Sequence, residues 1–200
     1  MEGIRLEFRL VYRGKLPAAG NNSTRMPEKH YIRCSLHDQI KQFWSVHPEL
    51  IARGETGNNP GFIDRELPQY QIGEKWFLPL LTERRGLACA LDILFLRREP
   101  PGRVMSNHGD IDNRLKVLFD ALRVPHNADE FPRDWIQEEV ELPLYCLLDD
   151  DNLITTMTVT TDRLLTPLED GQSESDVVLI INVRAIITDF SKAPWGFIAN

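Results

Sequence analysis

Apolar and polar residues alternate over residues 4–12 (IRLEFRLVY), the period of a strand with one buried face. Leu36, Ile40, Phe43 and Trp44 recur at helical spacing, with Ser35 placed as an N-cap. They predict an amphipathic helix over 36–44 that extends toward Leu50. Residues 76–81 are apolar but contain Pro79, which predicts an edge strand or a strand end. Residues 87–96 form a nearly unbroken apolar run, as in a central strand buried on both faces, and Asp92 is the one charge inside it. Leu115, Leu118, Phe119 and Leu122 make a second helical stripe that ends at Pro125. A strand is expected from after Asp151 to about Thr160, and a final central strand over 176–187. Residues 14–24, 52–61 and 162–176 are loops by composition, and 62–73 reads as irregular. The order strand, helix, strand, strand, helix, strand, strand predicts an α/β (α+β) fold with a mixed sheet and helices mainly on one face. A chain of 200 residues suits one domain spanning 1–200.

Composition adds limits to this picture. Apolar residues are 42% and charged residues 26%, ordinary for a globular chain. No apolar run approaches the length of a membrane helix, and the first residues lack the apolar core of a signal peptide. Cys34, Cys89 and Cys146 stand far apart in no metal-like spacing, which predicts reduced thiols and a cytoplasmic location. The five histidines show no ligand spacing, and His108 alone lies beside the main motif. The net charge of −7 is unusual for a DNA-binding module. It is unevenly spread: residues 1–109 hold 16 Lys and Arg against 12 Asp and Glu, and residues 110–200 hold 7 against 18. Arg84, Arg85, Arg97 and Arg98 in the basic half are candidate phosphate contacts. The segment 126–141 is strongly acidic and would repel DNA, so a lid or partner surface is expected there.

The chemistry concentrates at the head of the second helix. Asp110, Asp112, Asn113 and Lys116 fall within GDIDNRLK at 109–116, and a second acidic run, Asp149, Asp150 and Asp151, precedes a strand. Asp112 and Lys116 are four apart and share a helix face. Capping by Asp112 and Asn113, with Lys116 bridging to Asp112 or Asp120, is the plain reading. Carboxylates gathered at one point repel unless a cation joins them, and hard divalent ions take oxygen ligands. A calcium-hand loop does not fit, because Leu115 and Ala121 stand where that loop needs Gly and Glu.

The run GDIDNRLKVLFDAL over 109–122, with Asp150, Asp151 and Ile154 downstream, resembles the RusA-type Holliday-junction resolvases. Their pattern is Asp-x-Asp-Asn-x-x-Lys-x-x-x-Asp-Ala-Leu, then Asp-Asp-x-Gln-Ile. Leu153 replaces the Gln, and the connection between the two halves is longer here, an acidic insertion at about 126–148. The resemblance implies a RusA-like fold and a homodimer. It also implies a Mg²⁺-dependent (or Mn²⁺-dependent) endodeoxyribonuclease that resolves four-way DNA junctions by paired nicks in recombination and repair. Asp110, Asp112 and Asp151 would be ligands, with Asp150 the register alternative, and Lys116 would stabilise developing charge. The loop after the first strand would lie near DNA, making Lys15, Arg25 and Lys29 candidate contacts. The alternative is a catalytically inactive DNA-binding or regulatory protein of the same fold.

Overall fold

A computed structural model describes residues 6–19, 25–46, 69–98, 111–167, 173, 176–189 and 191. The fold is mixed α+β. Its main elements are β1 (Glu7–Lys15), α1 (Met26–Val46), β2 (Tyr70–Ile72), β3 (Lys75–Leu81), β4 (Leu87–Arg97), α2 (Ile111–Leu122), β5 (Leu144–Leu148), β6 (Ile154–Arg163) and β7 (Asp176–Ile187).

The strands form two sheets where the sequence pattern suggested one. The first has the order β1-β7-β4-β6, with β1, β7 and β4 antiparallel in turn and β6 parallel to β4. The two runs read as central strands, β4 and β7, are the inner pair. Asp92 is exposed on β4, so it demands no buried partner. The second sheet has the order β2-β3-β5. β3 is therefore a middle strand, not the edge that Pro79 suggested. β2 pairs only as far as Phe77, so among the described residues β3 has no strand neighbour on that side at Pro79, which lacks an N–H to give.

The edges of the first sheet differ. At the β1 edge, Gln39 of α1 lays its carboxamide along the strand. Its Nε2 donates to Val11 O at 2.8 Å, and its Oε1 accepts from Val11 N at 2.8 Å. The β6 edge carries Thr155, Thr156, Met157, Thr158 and Thr160, all exposed.

α1 begins ten residues before the expected start. Its buried face includes His30, Arg33 and His37 beside Ile32, Leu36, Ile40 and Trp44. Ser35 is no cap: it lies mid-helix, and its hydroxyl donates back to Tyr31 O at 2.7 Å. The main core gathers this stripe, one face of β4 and β7, and Leu115, Leu118 and Leu122 of α2. The acidic insertion is only partly a solvated lid. Phe131 is buried, and with Phe77, Val124, Leu144 and Cys146 it builds a second small core that Trp135 covers. Its last five residues are the apolar strand β5. The three cysteines are free thiols. No helix among the described residues is long and apolar enough to cross a membrane.

Candidate active site

α2 presents two faces. Leu115, Leu118 and Leu122 turn inward, and Asp112 and Lys116 are exposed one turn apart. Asp112 has no hydrogen bond or ion pair among the described residues. Lys116 reaches neither Asp112 nor Asp120; its Nζ stands 3.5 Å from Asn113 Oδ1. Asp120, expected to pair with Lys116, instead meets Lys29 at 2.6 Å and Arg123 at 3.2 Å. Asn113 sits inside the first turn, and its carbonyl accepts from Ala19 N at 3.0 Å. The chain just after β1 thus touches the head of α2 at Ala19. Asp110 and His108 lie outside the described residues.

The second acidic run is built differently. Asp149 N donates to Leu81 O at 3.1 Å, fixing the turn after β5 to the end of β3. Asp149 Oδ2 accepts from Tyr70 OH at 3.2 Å and from Glu83 N at 3.3 Å. Burial raises the Asp149 carboxyl above the usual carboxylate range, and those two bonds oppose the rise. Asp150 caps a short 3-10 turn (Asp151–Leu153), accepting from Asn152 N at 2.9 Å. It also accepts from His126 Nε2 at 3.1 Å. The Asn152 N–H, aided by His126, lowers the Asp150 carboxyl. Asp151 is half-buried; its carbonyl accepts from Ile154 N, and its carboxylate makes no hydrogen bond or ion pair among the described residues. Leu153, which stands where the resemblance expects Gln, is buried in the core.

The two acidic groups lie toward opposite ends of α2. Asp112 is in its first turn. Val124 N donates to Leu148 O at 2.9 Å, and His126 holds Asp150, so Asp150 is held at the far end, while the turn Asp151–Leu153 packs against the helix. Leu122 lies ten residues after Asp112, about 15 Å along the axis. Among the described residues, no three His, Cys, Asp or Glu side chains group so as to hold a metal ion. The donors are hard oxygens of the kind Mg²⁺ takes, and one or two carboxylates with substrate phosphates commonly hold it.

The basic candidates also separate. Lys15 and Arg84 are exposed. Arg85 is buried, its guanidinium 5.6 Å from the Trp44 ring centroid, and Arg97 is buried as well. Neither offers a free cation to phosphate. Arg98 donates to Thr166 O and Pro167 O. Arg25 donates to Ala18 O and stands 3.6 Å from Glu28. Lys29 is taken by Asp120. Arg84 and Arg98 flank opposite ends of the 11-residue β4, roughly 35 Å apart, so they do not form one patch. Tyr70 and His126, which hold the acidic run, had no local signal: they lie 79 and 24 residues from their partners. No protein-family model, curated protein or solved structure matches the chain.

Proposed function

We propose that the chain is a Mg²⁺-dependent, structure-selective endodeoxyribonuclease that nicks four-way DNA junctions, acting as a homodimer. The observation that carries this reading is the head of α2. There a carboxylate and an ammonium, Asp112 and Lys116, stand exposed one turn apart and unpaired with each other, within a sequence that resembles the junction resolvases. A surface bridge would leave them paired.

Asp110 and Asp112 are the residues that would hold the cation, with Asp151 added by the resemblance alone. When bound, such an ion lowers the pKa of bound water and neutralises phosphate charge. Lys116 places a compact cation where negative charge develops on the scissile phosphate. Asn113, by accepting from Lys116, limits where that ammonium can go. Of the candidate contacts, Lys15 and Arg84 are exposed and would meet the DNA backbone.

Asp112→Asn is expected to lower junction cleavage by at least ~100-fold and to leave junction binding intact. Cleavage by this variant at the wild-type rate would refute the assignment. The second reading, a catalytically inactive DNA-binding protein, is favoured by the separation of Asp112 from Asp150 and by the engagement of Asp150 with His126. Under it, the wild-type chain binds junctions and cleaves none at any concentration of Mg²⁺ or Mn²⁺.

A further inference from the structure

The first sheet closes one edge and leaves the other bare. At β1, Gln39 occupies both backbone groups of Val11, and Glu7, Arg9, Arg13 and Lys15 put charges along the strand. These are devices that prevent strand addition. β6 has none of them from Ile154 to Thr161: no charge, no proline and five threonines. β4 is its one strand neighbour among the described residues. An eight-residue edge of β-branched and apolar residues, Ile154 to Thr161, is a template for another strand.

We propose that this edge pairs antiparallel with the β6 edge of a second copy of the chain, joining two four-stranded sheets into one of eight. Charge complementarity selects the occupant and the register. Arg163, at the end of β6, makes no side-chain hydrogen bond or ion pair among the described residues, and neither does Asp151 just before its start. Antiparallel pairing brings the end of one copy to the start of the other. A two-fold axis at Met157 brings Arg163 of one copy toward Asp151, in the 3-10 turn just before the strand of the other. It also opposes Ile154 to Thr160, Thr155 to Val159 and Thr156 to Thr158, all uncharged pairs. Met157, 45% exposed in the single chain, then packs against its own copy. This goes beyond the homodimer of the proposed function by naming the interface, and it gives Asp151, a ligand there by resemblance alone, to the partner's Arg163; its test reads assembly without DNA or metal, so its failure and that of the nuclease are distinguishable.

Sedimentation of the full chain over a concentration series tests it. The wild-type chain is expected to dimerise. Met157→Lys, which sets two ammonium groups face to face, is expected to weaken dimerisation by at least ~10-fold with an unchanged circular-dichroism spectrum. Opposed Cα atoms in such a pair lie about 4.5–5.5 Å apart, within disulfide range. Met157→Cys is therefore expected to give a covalent dimer on mild oxidation, and Val11→Cys on the blocked edge is not. A monomeric wild-type chain, a dimer that survives Met157→Lys, or equal cross-linking by the two cysteine variants would each overturn the proposal.

Discussion

Polar side chains inside the protein set its response to acid. Burial holds the His30 imidazole down at about 4, and the nearby Arg33 cation adds to the effect. The unfolded chain takes up this proton near 6.5. Between the two values the folded state binds fewer protons, so the stability due to a neutral His30 is complete above about 6.5 and is lost as the pH falls toward 4. The full effect is on the order of 3 kcal/mol. Burial lowers His37 as well, which acts in the same direction. The urea midpoint is expected to fall between pH 7 and pH 5, and His30→Phe to flatten that fall while keeping the edge contact with Trp135. These residues also mark where sequence reading stops. Histidine and arginine carry no apolar signal, so the N-terminal part of α1, buried through His30 and Arg33, was not legible. Asp112 and Lys116 were, because helical spacing alone puts them on one face. The pairing of Asp120 with Lys29 was not, because it crosses from one helix to another.

A buried arginine helps to tie α1 to the end of α2. Arg33, 1% exposed, donates from Nε to Arg123 O at 3.2 Å and from Nη2 to Asp120 O at 2.9 Å. Asp120 O is in the last turn of α2, where no intrahelical donor remains, and Arg123 O lies just past it. Arg33→Ala is expected to cost about 3–5 kcal/mol in denaturant unfolding, through a cavity and two unpaired carbonyls. A loss under 1 kcal/mol would mean that water replaces the guanidinium. Gly86, at φ +62, closes the turn between β3 and β4, and a side chain there would strike the backbone of Asp189. Gly86→Ala is expected to lower stability by about 1–3 kcal/mol, read in the same experiment. Long elements with a clean period, β4, β7 and α2, were legible in the sequence. β2 has three residues, too few to show a period. β5, LYCLL, has no alternation because it is buried, and it follows a run of acids that reads as solvent-exposed.

For the whole molecule, charge and sheet geometry decide how partners are met. With a net charge of −7, DNA can be held only where cations are gathered and exposed. Junction affinity should therefore fall steeply with added salt. Lys15→Gln or Arg84→Gln is expected to reduce the slope of log K against log salt by about one. Arg85→Gln and Arg97→Gln should leave the slope unchanged and lower stability instead, because both side chains are buried.

The carboxamide of Gln39 stands in for a missing neighbour strand at Val11. A sheet that can grow on both sides stacks without end, and a sheet stopped on one side closes after a single addition. Together with the charges of Glu7, Arg9, Arg13 and Lys15, this glutamine confines strand addition to the β6 edge. Removing both devices would open a route from pairs to fibres.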